Sequence, residues 1–194
     1  MIENIATRIK AVLKRIWLII RGFGAKKGAL PPKPFNEKHR QRAVVEYGLN
    51  TPEAIKEYDE IVQQAAFICE SPIALMSISD GDRQLFKSRI GLESSEAARD
   101  LVFCSYAILD PYRILEIEDT ELDPRFADNP LVVGNAKIRF YAGVPLVSPE
   151  GYPLGTLCVL DQQPRKLTED QKLNLKLLAQ YLIIEIASSQ RRTR

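Results

Sequence analysis

At 194 residues, 45% of them apolar and 27% charged, the chain is long enough to bury one domain-sized core and is too balanced for disorder, a collagen-like repeat or a disulfide-dense scaffold. Its net charge of +2 conceals a division, because residues 1–30 carry seven bases and one acid while the remainder carries twenty bases and twenty-four acids. A mildly acidic body argues against nucleic-acid binding, and three dispersed cysteines with a single histidine, His39, argue against a disulfide frame or a metal site and for a reducing, cytoplasmic setting.

Ile2, Ile5, Ile9, Val12, Leu13, Ile16, Ile20 and Phe23 recur at helical spacing with Lys10, Lys14 and Arg21 opposite, so residues 1–30 read as a basic amphipathic helix weakened at Gly22, Gly24 and Gly28. Its longest uncharged run, Ile16 to Ile20, falls far below the roughly 20 residues that cross a bilayer. Ile5, Ile9, Val12, Leu13, Ile16, Trp17 and Ile20 form the face expected to meet a partner. That partner is a second subunit, a groove on another protein, or the surface of an anionic membrane reached peripherally through residues 1–23. Pro31, Pro32 and Pro34 mark residues 31–39 as a stiff linker, ahead of a folded body over 40–190 and a basic tail over 191–194.

Within the body, Asn36 to Tyr47 is a short charged segment, and Thr51-Pro52-Glu53 supplies the start of a helix that runs to about Cys69 before Ser71-Pro72. Ile73 to Ser79 and Gln84 to Ile90 read as a hairpin around Gly81-Asp82. Ser95 to Leu109 is expected to be predominantly helical, Ile114 to Ile117 a strand, and Glu121 to Val133 a loop with a helical turn or two. Ile138 to Val147 and Leu154 to Leu160 form a second hairpin across Pro149-Glu150-Gly151. Thr168 caps a last helix whose apolar stripe is read as Leu173, Leu177, Ala179, Leu182, Ile183 and Ile186. That order gives an α+β fold, a central antiparallel sheet with helices packed on it.

Five collinear segments, Asp82 to Ser88, Phe103 to Ile108, Asp123 to Pro130, Ile138 to Leu146 and Gly155 to Asp161, resemble GAF domains of the bacterial signalling type over roughly residues 40–190. The resemblance implies a pocket roofed by the segment between Glu93 and Asn135, terminal helices that pair with a second subunit, and a ligand drawn from cyclic nucleotides, tetrapyrroles, small anions or metabolites. Similar domains commonly carry histidine at the position of Tyr106, and bilin-binding relatives attach the chromophore through a Cys-His pair that this chain lacks, so no covalent bilin or other cofactor is expected.

On that resemblance, Phe86, Phe103, Cys104, Tyr106, Arg125, Arg139, Tyr141 and Cys158 are the candidate pocket residues. A guanidinium there would suit a carboxylate, phosphate or nitrate, although Arg125 equally suits a loop brace with Asp123. The aromatics suit a pocket lining or simple core. Cys104 with Cys158 as resolving thiol would suit a reductase of the free methionine sulfoxide type, against the plainer reading of two buried structural thiols. The expected function is a non-catalytic sensing or regulatory module acting in trans on a partner. The alternatives are an assembly protein anchored through its N-terminal helix and the thiol enzyme.

Overall fold

Alternation of side chains along the central strands decides the architecture, because each strand carries apolar residues for both of its faces. The computed structural model describes residues 32–192. Six strands, β1 (Ile73–Asp80), β2 (Arg83–Ile90), β3 (Glu96–Ala98), β4 (Leu115–Ile117), β5 (Phe140–Val147) and β6 (Pro153–Asp161), form one sheet in the order β3-β2-β1-β6-β5-β4. Every pairing is antiparallel. Among the described residues, five α-helices accompany it: α1 (Glu37–Glu46), α2 (Asp59–Ile68), α3 (Cys104–Ala107), α4 (Pro130–Val133) and α5 (Glu169–Arg192).

One face of the sheet is covered by α1, α2 and α5. Ala74, Met76 and Ile78 of β1, Phe140, Ala142 and Val144 of β5, and Leu157 and Val159 of β6 pack there against Val44, Val62, Ala65, Leu175 and Leu182. The intervening strand residues point to the opposite face. Leu75, Phe86, Tyr141, Cys158 and Leu160, with Ile117 of β4, meet Phe103, Cys104, Phe126 and Val132 from the irregular segments between β3 and β5.

The body departs from its sequence reading in four places. Asn36 to Tyr47 contains α1, which takes in the last residues of the stretch read as linker. Its anchor is electrostatic as well as apolar: beside buried Ala43 and Val44, Arg40 is fully buried, and both Arg40 and Arg99 bind the Glu37 carboxylate, at 2.7 and 2.5 Å. Burial would raise the Glu37 pKa, but the hydrogen bonds and charges of Arg40 and Arg99 outweigh it and hold the carboxyl at about 2.

Thr51-Pro52-Glu53 does not start a helix. The helical chain begins with a 3-10 turn at Lys56–Tyr58, and residues 51–55 lie along β2 instead. A bulge at Lys87, between the pairs Met76–Ser88 and Ser77–Phe86, explains the difference. The Lys87 carbonyl accepts from Ile55 N at 2.7 Å, and its buried ammonium donates to the Thr51 and Glu53 carbonyls and to the Thr51 hydroxyl.

Ser95 to Leu109 is mixed rather than predominantly helical. Glu96–Ala98 pairs with Arg83–Leu85 as β3, a 3-10 turn follows at Arg99–Leu101, and α3 is a single turn. On α5 the buried residues are Leu175, Ala179, Leu182 and Ile186, whereas Leu173 and Leu177 lie exposed with Tyr181 and Ile184. Thr168 does cap that helix, its Oγ1 accepting from Gln171 N while Gln171 Oε1 accepts from Thr168 N. The amphipathic segment 1–30 lies outside the described residues, and none of the described helices is long and apolar enough to cross a membrane.

Candidate functional site

The face of the sheet turned away from the long helices carries a line of polar side chains in an otherwise apolar layer. Ser79 Oγ donates to Gln84 Oε1 at 2.9 Å, Gln84 Nε2 donates to Ser77 Oγ at 2.9 Å, and Ser77 Oγ lies 2.8 Å from Thr156 Oγ1. All four residues are fully buried. Strand register puts them together, since Ser79 faces Gln84 across β1 and β2 while Ser77 faces Thr156 across β1 and β6. Buried hydroxyls and amides must be paired, and here they satisfy one another. The result is a polar floor beneath a roof made by α3, α4 and the loops around them.

The seam runs into a pair of thiols. Cys158, one pleat further along β6, has its sulfur 3.8 Å from that of Cys104 at the start of α3. Tyr141 reaches the same spot from β5, its ring lying across Gly143 so closely that a Cβ there would sit 2.1 Å from the phenol oxygen. That oxygen is buried and makes no hydrogen bond. The Cys104 thiol is pulled below the usual thiol range, first by a hydrogen bond from Cys158 and, against the cost of burial, by the hydroxyls of Ser77 and Thr156. Burial and the neighbouring Cys104 push Cys158 upward, and burial with the two sulfurs pushes Tyr141 well up. Cys104 therefore bears the negative charge first, although it has no base beside it in sequence.

Of the candidates read from the sequence, Phe86, Phe103, Cys104, Tyr141 and Cys158 come together in this one cluster, with Tyr106 packed at its margin. Phe103 contacts Phe126 and Tyr141 at ring separations of 4.9 and 5.2 Å, and Tyr106 meets Phe126 edge-on at 4.8 Å. The two arginines lie at its outer edge and are already paired. Arg125 binds Asp123 at 2.6 Å and stacks over Phe126 and Tyr106, and Arg139 binds Glu121 at 2.6 Å and donates to the Val132 carbonyl. Arg125 also borders an open surface groove of about 920 Å³, shared with Glu116, Glu118, Asp123, Arg165 and Lys166.

Ser77, Ser79, Gln84 and Thr156 are the site residues that sequence reading missed. Their signal is the alternation itself, which sets Ser77 and Ser79 on the face opposite Met76 and Ile78 of a central strand.

The sequence model of the family described as GAF domain matches residues 53–186. A Pseudomonas aeruginosa protein named as a cyclic di-GMP phosphodiesterase is 47% identical over 137 residues, covering 71% of this chain. The chain spans only 23% of that relative's length. Among solved structures, the GAF domain of a phosphoenolpyruvate-protein phosphotransferase from Coxiella burnetii superposes with a TM-score of 0.60 at 15% identity, over 80% of this chain and 95% of that one. The corresponding Acinetobacter domain gives 0.58 at 18%, over 80% and 96%. A type II free methionine-R-sulfoxide reductase from Thermoplasma acidophilum gives 0.57 at 12%, over 69% and 92%, a likeness of fold alone. With the sequence match and the six-stranded antiparallel architecture in agreement, this chain belongs to the GAF domain family.

Proposed function

We propose that this chain is a non-catalytic, small-molecule-sensing GAF module that regulates a partner protein in cyclic di-GMP signalling. The observation that carries the reading is the 47% match confined to less than a quarter of a cyclic di-GMP phosphodiesterase. What the two share is one domain-sized unit, the size of a regulatory module within a larger protein. The polar floor supports a ligand on the roofed face. A small polar molecule would exchange hydrogen bonds with Ser77, Gln84 and Thr156 and give the Tyr141 hydroxyl the partner it lacks.

Thermal unfolding of the purified chain against a panel of cyclic di-GMP, mononucleotides, nitrate and amino acids tests this. A binder at a hundred times its Kd adds about 2.7 kcal/mol of stability, so at least one member should raise Tm. No shift across the panel would overturn the sensing role.

Partner contact is assigned to the terminal segments. Leu173, Leu177, Tyr181 and Ile184 lie on one side of α5, each more than half exposed, a surface suited to a helix from a second copy or another protein. On their sequence pattern, residues 1–23 would supply a further apolar face, with peripheral membrane contact as the competing role. Leu177→Lys and deletion of residues 1–30 should each weaken association in sedimentation and fractionation experiments, and unchanged behaviour of both would remove the assembly reading. The thiol-reductase alternative is disfavoured by burial, because Cys104 is 4% exposed and Cys158 0%, which leaves methionine sulfoxide no approach without displacing α3.

A further inference from the structure

We infer that Cys104 and Cys158 form a reversible two-electron redox pair: a hydroperoxide converts them to an intrachain disulfide that staples α3 to the centre of the sheet, and a thiol reductant reopens it. The inference stands on the thiol geometry and holds whether or not the roofed face binds a ligand.

The sulfurs are 3.8 Å apart and in contact, so closing them to the roughly 2.05 Å of a disulfide requires a shift of less than 2 Å. One side of the pair is fixed. Cys158 lies inside β6, hydrogen-bonded to β1 on one edge and β5 on the other. The other side can move, because α3 is a single turn between a 3-10 turn and a loop. A short, irregular segment of this kind opens locally at lower free energy than strands paired on both sides, and hydrogen peroxide, little larger than water, can enter through such openings.

The surrounding groups suit the chemistry. Ionised Cys104 attacks one peroxide oxygen, the O–O bond breaks, and the departing alkoxide or hydroxide takes a proton, leaving a sulfenic acid on Cys104 and an alcohol or water. The Cys158 sulfur then attacks the sulfenic sulfur. The S–S bond forms as the S–O bond breaks, and the leaving hydroxide departs as water with the Cys158 proton. In sum, two thiols and one hydroperoxide become one disulfide, one alcohol or water, and one water. The dithiol loses two electrons and the peroxide gains them.

Two observations point to Cys104 as the attacking sulfur. Its thiol is the one held low, by Cys158 and the hydroxyls of Ser77 and Thr156. The Tyr141 hydroxyl, buried without a partner while the pair is reduced, gains an acceptor in a sulfenic oxygen on Cys104. Cys69 provides an internal control. It sits in the helix-covered core on the other side of the sheet, where burial raises its thiol to about 11.

The test uses the full chain, reduced, exposed to graded hydrogen peroxide, then unfolded and alkylated with N-ethylmaleimide for mass analysis. The expected result is loss of two of the three alkylation sites, a cross-linked Cys104–Cys158 peptide, and recovery of all three sites with dithiothreitol. Cys158→Ser should stop at a sulfenic acid on Cys104 that dimedone captures, and Cys69→Ser should leave cross-linking unchanged. Three alkylatable thiols after peroxide, a cross-link that includes Cys69, or sulfinic acid on Cys104 without a cross-link would each overturn the pair. The cross-link map of the unmutated chain decides the matter even if a variant fails to fold.

Discussion

The two faces of the sheet divide the labour of this domain. On one, α1, α2 and α5 lay long or charge-anchored helices over Ala74, Met76, Phe140, Val144 and Leu157, burying hydrocarbon against hydrocarbon. On the other, single-turn helices and loops cover a layer that holds two thiols, an orphaned phenol and a chain of hydroxyl and amide groups. The first face earns stability from apolar area removed from water. The second gives part of that up by burying polar groups that yield little net stabilisation even when paired. The difference bears on where the fold can open: short, irregular elements over a buried polar network yield more readily than long helices packed on hydrocarbon.

Neighbouring residues of β5 make the comparison directly, because Phe140 and Tyr141 are both fully buried and point to opposite faces. Phe140→Ala should cost about 3–5 kcal/mol in urea denaturation, as expected for a large ring removed from a close-packed core. Glu37→Gln comes next. The folded carboxyl at about 2 lies below its ordinary value of 4.5, so its stabilisation is complete above pH 5 and is lost as pH falls through 4.5 toward 2. The substitution should remove about 3 kcal/mol at neutral pH and flatten that acid limb of the pH–stability profile. An unchanged acid limb would show that Arg40 and Arg99 find other partners.

Smaller effects belong to the roofed face. Gly143→Ala drives a methyl group into the Tyr141 ring and should cost about 1–3 kcal/mol, measured by the same urea titration. Tyr141→Phe should be neutral or stabilising by about 1 kcal/mol, because it deletes a buried hydroxyl that makes no hydrogen bond. A clear loss of stability in Tyr141→Phe would mean that the phenol is paired in solution and that the two faces are more alike than the structure has them.

Both hairpins, the last helix with its Thr168 cap and the short strand β4 were legible in the sequence, because period-two alternation, turn residues and capping chemistry are local signals, and the family was legible as a resemblance carried by five collinear segments. α1 was not, since only Ala43 and Val44 form its buried apolar side and its anchor, Arg40, pairs with an arginine-binding carboxylate shared with Arg99, a contact between residues far apart in sequence. β3 escaped for the same reason: Glu-Ala-Ala has no strand preference and becomes one only by pairing with β2. Leu173 and Leu177 lie exposed because α5 carries two apolar stripes at helical spacing and buries the one formed by Leu175, Ala179, Leu182 and Ile186. At the site, the aromatic and cysteine motifs were visible, whereas the polar seam needed the register of three strands. Segment 1–30, with its strong amphipathic pattern, lies outside the described residues.

Hydrogen exchange resolved along the chain tests the division between the faces most directly. The amides of α3 and of the loops over residues 99–138 should exchange through openings of low free energy, while those of β1, β5, β6 and the buried side of α5 exchange only near the global unfolding limit. Equal protection of the roof and the helix-covered core would contradict it, leaving the polar seam as a sealed part of one rigid core.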